Sequence, residues 1–206
     1  MIGRMQRSGG SPKMDSADRL GKLARAALIV IDVQKSIDAS YHAAHGPRNN
    51  SDAEMKIAQL LSTWRKHQRT IIHVRHNSTS PDSAYRPGQE GNDFKDEVAP
   101  IIGETVITKT TNSAFIGTRL EEQLRVSGID TLIVVGVSTN NSVEATVRMA
   151  GNLGFNTYLV ADACFTFARP DFQGRFRSAD EVHAMSLANL DGEYCTVIST
   201  DVVLQD

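Results

Sequence analysis

The chain is poor in features that would mark a specialised environment. Only two of its 206 residues are cysteine, Cys164 and Cys195, which excludes a disulfide scaffold and leaves a reduced, cytoplasmic setting as the expectation. No apolar run approaches the roughly 20 residues of a membrane span, so no membrane partner is expected. There is no basic surplus either: 22 Lys and Arg stand against 24 Asp and Glu, a formal charge of −2, which gives nucleic acid nothing to bind. The first 20 residues hold Arg4, Arg7 and Lys13 but no apolar core. They read as a flexible tail rather than a secretory signal, with Met14 a second candidate start. Internal repeats and low-complexity segments are lacking as well. With 40% hydrophobic residues, the remainder, 21–206, is enough for one well-buried domain and cramped for two.

What is present is an alternation of strand and helix patterns. The continuous apolar run over 27–31 ends in Asp32 and suits a strand buried on both faces. Ser51 or Asp52 can cap a helix whose Ile57, Leu60, Leu61 and Trp64 recur at i, i+3, i+4 and i+7. A second strand follows over 70–75, and residues 77–100, broken by prolines and glycines, form a long loop of the kind that carries function or contacts a partner. A third strand over 104–108 delivers Lys109. Leu120 and Leu124 mark a helix that Gly128 stops, and the fourth strand, 131–135, leads into a helix over 140–153. The fifth strand, 157–161, ends at Asp162; a helix over 178–190 and a strand over 195–199 close the pattern. This alternation predicts a three-layer α/β/α domain around a mostly parallel six-stranded sheet, Rossmann-like in its winding.

Ligands of such sheets sit beyond the carboxyl ends of the strands. Asp32, His76, Lys109, Ser142 and Asp162 all fall at or just after predicted strand ends, so scattered polar groups converge on one edge. Asp32 reads as a turn carboxylate or as an acid whose proton affinity an apolar rim would raise. Lys109 reads as a solvated lysine or, paired with Asp32, as the cation that supports developing negative charge. Ser142 lies in the first turn of a helix entered through the tight turn at Gly136, where free backbone N–H groups gather. Asn140 or Asn141 can cap that helix equally well, which leaves Ser142 for nucleophilic work with Asp32 as its base. The turn lacks the second glycine of the G-x-S-x-G elbow, which disfavours an α/β-hydrolase. His42 with His45 and His73 with His76 share H-x-x-H spacing, but His73 and His76 would point to opposite faces of a strand, and no metal is expected. Cys164 and Phe115 read as core residues or pocket walls.

Several pieces in order are similar to the isochorismatase-like hydrolase superfamily, the cysteine hydrolases. They are residues 29–34, His76-Asn-Ser, 86–91, 108–115, 136–143, 152–155 and 181–185, spanning nearly everything from Ala27 to Val203. The resemblance implies an Asp–Lys–Cys triad, which falls on Asp32, Lys109 and Ser142, with serine in place of the usual cysteine. It also implies a non-proline cis peptide at Val137–Ser138, an oxyanion pocket from the N–H groups of Ser138 and Ser142, and a substrate pocket that includes Gln34, His76, Asn77, Phe115 and Asn141. No cofactor is implied, and a homodimer or homotetramer is. After Asp32 the chain reads Val-Gln-Lys-Ser-Ile, unlike the nicotinamidase branch with its metal, which argues against nicotinamide. The resulting expectation is hydrolysis of a small-molecule amide or carbamoyl C–N bond. The alternatives are isochorismatase-type cleavage of a vinyl ether with Asp32 as general acid and no nucleophile, and a catalytically weak or inactive small-molecule binding homologue.

Overall fold

Six consecutive buried residues make β1 (Ala26–Ile31) the middle of the sheet. In the computed structural model, which describes Leu23, residues 25–38 and residues 46–205, this strand pairs in parallel with β2 (Thr70–His76) on one side and β4 (Thr131–Val137) on the other. The expected tail over 1–20 and the His42/His45 pair lie outside the described residues. β3 (Thr105–Lys109), β5 (Asn156–Phe165) and β8 (Thr196–Ile198) extend the sheet to the order β3-β2-β1-β4-β5-β8, with every neighbouring pair parallel. The fold class is therefore the expected one.

Both faces of β1 are apolar because both are covered. Ala27, Ile29 and Ile31 pack towards α2 (Leu120–Val126) and α3 (Glu144–Asn152), with Leu190 of α4 (Ala179–Leu190) in the same cluster. Leu28 and Val30 pack on the other side against Ile57, Leu60, Leu61 and Trp64 of α1 (Ala53–Lys66) and Val203 of α5 (Thr200–Leu204). A strand buried on both faces has no polar side to show, which is why its sequence does not alternate. No helix among the described residues is long and apolar enough to cross a membrane.

Four local expectations need correcting. Asp52 precedes α1 but makes no side-chain cap bond; its Oδ2 lies 3.0 Å from Lys56 Nζ instead. The helix expected over 140–153 opens with a π-helical turn, Thr139–Val143, before α3 begins. β5 runs four residues beyond its expected end, so Asp162 lies inside it. Two steps along β4 (134 to 136) match five along β5 (159 to 164), and this bulge turns Asp162 towards Lys56 Nζ (3.1 Å) and the Thr200 backbone N–H (2.8 Å), away from the convergence expected for it. Apart from these, a short hairpin of β6 (Arg169–Pro170) and β7 (Phe176–Arg177) precedes α4, which starts in a full capping box between Ser178 and Glu181.

The strand order decides where a ligand can sit. From β1 the chain winds outward through β2 and β3, then returns to place β4 on the opposite side of β1 and winds outward again. The carboxyl ends of β1 and β4 therefore flank the crevice at the switch of direction.

Candidate active site

Three backbone features shape this crevice. Asp32 follows β1 with φ of +55°, a left-handed conformation that Asp tolerates better than most side chains, and its N–H donates to Val74 O at 3.0 Å. At the end of β4, Gly136 has φ of +127°, and a Cβ there would lie 2.2 Å from Ile31 O, so only glycine fits the contact between the two strands. The Val137–Ser138 peptide that follows is cis, as the resemblance implied.

The π-helical turn after it is tied at several points. The N–H groups of Asn141 and Val143 both donate to Ser138 O, at 3.0 and 3.3 Å. Thr146 Oγ1 donates to Ser142 O (2.7 Å) and accepts from Ala114 N (3.0 Å), which locks the turn to the loop after β3. Ser186 Oγ lies 3.2 Å from Thr139 O and 2.6 Å from Glu144 Oε2, and His183 Nδ1 is 2.9 Å from Thr139 Oγ1. Among the described residues, neither Ser138 N nor Ser142 N donates to a backbone carbonyl outside the turn.

Lys109 is the last residue of β3, directly across from His76, and it is almost entirely buried. Its ammonium lies 2.6 Å from Asp32 Oδ2, 3.0 Å from Thr111 O, 3.2 Å from Ser142 Oγ and 3.4 Å from His76 Nδ1. An ammonium has three hydrogens, so four acceptors compete for them. Burial raises the pKa of Asp32 above its usual value, opposed by the charge and hydrogen bond of Lys109 and by the Ser142 hydroxyl. Burial likewise lowers Lys109, opposed by Asp32. Asp32 Oδ1 is buried and keeps no well-formed hydrogen bond. Burial, then Lys109, push His76 down to about 4, so its ring is neutral at pH 7.

A cavity of about 510 Å³ opens over this cluster, lined by Asp32, His76, Ser138, Asn141 and Ser142 among others. Ser36, Asp82, Tyr85 and Asn112 also face it and were not anticipated; the last three lie in loops whose course carries no sequence period. The other expected pocket residues are placed differently. Phe115 stacks on Phe155 at 5.8 Å between ring centroids and belongs to the core. Gln34 is fully buried and acts as a strut: its Oε1 accepts from His76 N (2.7 Å), and its Nε2 donates to His76 O (3.1 Å) and Asn92 O (2.8 Å). Asn77 Oδ1 accepts from Asn92 Nδ2 (3.0 Å), which also donates to His76 O and Tyr85 O. Gln34, Asn77 and Asn92 thus hold the end of β2 and the wall of the cavity rather than lining it. Cys164 is completely buried opposite Gly136, with its thiol pushed up by burial. His73, three residues before His76, instead meets Glu104 at 2.9 Å, so the two rings share no site.

The fold and this cluster define a class, the doubly wound three-layer α/β domains with a buried acid and ammonium at the switch point. The isochorismatase domain model matches residues 26–202. An isochorismatase family protein of Bacillus subtilis (strain 168), YrdC, is 42% identical over 182 residues, covering 88% of this chain and 96% of that protein. A crystal structure of an isochorismatase-family protein from Chromobacterium violaceum ATCC 12472 superposes with a TM-score of 0.85 at 57% identity, covering 88% of this chain and 93% of the other. More distantly, maleamate amidohydrolase of Pseudomonas putida is 26% identical over 91% of this chain and 89% of its own length. The chain belongs to the isochorismatase family, and it is a hydrolase.

Proposed function

We propose that the protein hydrolyses a small-molecule amide or carbamoyl-type C–N bond, with Ser142 as nucleophile, Asp32 as base and Lys109 as the supporting charge. The observation that carries this reading is Lys109 Nζ, held 2.6 Å from Asp32 Oδ2 and 3.2 Å from Ser142 Oγ at the floor of the cavity. In the first half-reaction the Asp32 carboxylate takes the Ser142 hydroxyl proton while Oγ bonds to the carbonyl carbon. The tetrahedral oxyanion accepts hydrogen bonds from the N–H groups of Ser138 and Ser142. As the C–N bond breaks, Asp32 returns the proton to the leaving nitrogen. Water, deprotonated by the same carboxylate, then attacks the acyl-serine, and Ser142 recovers its proton as the acid leaves. His76 stays neutral throughout and offers Lys109 a spare acceptor when the serine oxygen changes charge.

The test is a pair of substitutions assayed on a panel of small amides and carbamoyl compounds. Ser142→Ala is expected to abolish turnover, and Ser142→Cys to keep or raise it, because a thiol ionises far more readily than a hydroxyl. Burial of Asp32, which favours its protonated form, supports one competing reading: protonation of a vinyl ether followed by water addition. That chemistry needs no nucleophile, so a Ser142→Ala enzyme that retains turnover while Asp32→Ala loses it would decide for the vinyl ether.

A further inference from the structure

Among the described residues, the acidic and basic side chains that line the cavity are of one sign. Among the described residues its lining includes two carboxylates, Asp32 and Asp82, and no lysine or arginine. Lys109 reaches the floor from behind, but its hydrogens are already shared among Asp32, Thr111 O, Ser142 and His76. Four cations on the neighbouring segments lie outside that lining and have contacts of their own. Arg75 lies over the Phe94 ring at 4.7 Å, and Arg86 donates to Pro81 O at 2.9 Å. Lys35 pairs with Glu90 and Asp96, and Lys95 with Asp38 and Glu54.

The Asp32–Lys109 pair is close to neutral as a unit, so the field in the cavity is set by what remains, chiefly Asp82 at the exposed mouth. The Tyr85 phenol in the wall keeps its proton chiefly through burial, and after that through the carboxylates of Asp32 and Asp38. The rest of the rim carries small hydroxyls, Ser36, Ser78, Ser80 and Ser83, which hydrogen-bond neutral or donor-rich groups without neutralising an anion. A substrate carboxylate entering here would lose hydration and meet, among the described residues of the lining, no lysine or arginine.

We propose that this site selects uncharged or cationic C–N substrates and rejects carboxylate-bearing ones, with Asp82 at the cavity mouth as the discriminating residue. The proposal deepens the C–N hydrolase reading and rests on it for the turnover arm of its test. The chain would then part in substrate class from its relative that hydrolyses maleamate, which is itself a carboxylate.

The test uses three amides of similar size: 3-aminopropanamide, propanamide and succinamate. For the unmodified protein kcat/KM should fall in that order, with a cation-to-anion ratio of roughly tenfold or more, the size of one unit charge acting over several ångströms in partly aqueous surroundings. Asp82→Lys should shrink or invert the ratio, and Asp82→Asn should bring it part of the way. Since Asp82 is exposed, raising the salt from about 0.05 M to 0.5 M should weaken the ratio too, an effect that shape selection would not show. Equal or better turnover of succinamate, or a ratio that ignores Asp82→Lys, would overturn the selectivity while leaving the C–N chemistry in place. A second arm titrates Ser142→Ala protein with the same amides by NMR. Binding in the same charge order without turnover by the unmodified protein would sink the C–N reading and keep the selectivity. Binding that shows no charge order, or none of the three bound, would sink the selectivity.

Discussion

Two carboxylate clusters along the sheet, one half-buried and one buried, use nearly the same ingredients and end in opposite electrostatic states. In one, Glu104 beside β3 receives Arg65 Nε (2.8 Å) and Nη2 (3.0 Å), the Ile101 N–H (2.9 Å) and His73 Nε2 (2.9 Å), so both of its oxygens are satisfied. Burial alone would raise this carboxyl, yet those bonds hold it down at about 2. In the other, Asp32 has a single lysine that three further acceptors also claim, one oxygen is left open, and burial wins. A carboxylate saturated with donors is fixed as an anion and serves the fold. One with spare capacity, held beside a hydroxyl and a cavity, can accept a proton and give it back. Residue type does not distinguish the two; hydrogen-bond capacity does.

The largest effect should come from matched amide substitutions. Asp32→Asn is expected to lower kcat about a thousandfold, within the range that loss of a positioned base produces. Glu104→Gln should leave kcat within about twofold and instead cost about 2 kcal/mol of unfolding free energy, the scale of hydrogen bonds to a charged group. Equal losses of kcat in the two enzymes would erase the contrast.

Cutting the strut comes next. Gln34→Leu leaves the His76 N–H and the Asn92 carbonyl without their buried partner, so a loss of about 2 kcal/mol is expected in urea titration. It should come with a raised KM, since the same bonds hold the cavity wall.

The pH dependence of stability separates the clusters further. Glu104 moves from about 4.5 unfolded to about 2 folded, so its contribution is complete above pH 4.5 and disappears as pH falls towards 2. His76 moves from 6.5 to about 4, so the folded state resists its protonation, and stability drops as pH falls from 6.5 to 4. Unfolding free energies measured from pH 3 to 8 should therefore lose the upper slope in His76→Gln and the lower one in Glu104→Gln. Interchanged windows would refute the assignment.

The smallest effects concern the caps. Ser178→Ala should cost about 1 kcal/mol because it breaks a capping box, whereas Asp52→Ala should cost less than about 0.5 kcal/mol because Asp52 caps nothing. A larger loss at Asp52, read as a shift of the thermal midpoint, would show that proximity to the helix end matters without a formed bond.

The strands were legible because they are continuous apolar runs, and those runs exist because two layers of helices cover the sheet. Asp32 and Lys109 were legible for a topological reason: parallel strands send all their carboxyl ends to one edge, so residues 77 positions apart meet. The strut was not. Gln34 reads as a polar residue just past a strand, and its three bonds, two to His76 of β2 and one to Asn92 of the following loop, become visible only once the chain has folded. Asp162 misled because β5 bulges, and a bulge leaves no mark in a run of strand-forming residues. His76 could be placed near the edge, but its closeness to Lys109 depends on the β2–β3 register.

By itself, then, the sequence determined the layered α/β architecture, the edge where chemistry gathers and the family motif around Ser142, since periodicity and strand ends are local properties that topology maps simply. The tertiary structure alone decided which carboxylate is saturated and which keeps an open oxygen, which loop residues wall the cavity, and what sign of charge that cavity presents. Those depend on the number of donors that reach each group across distant segments, and no spacing along the chain encodes that number.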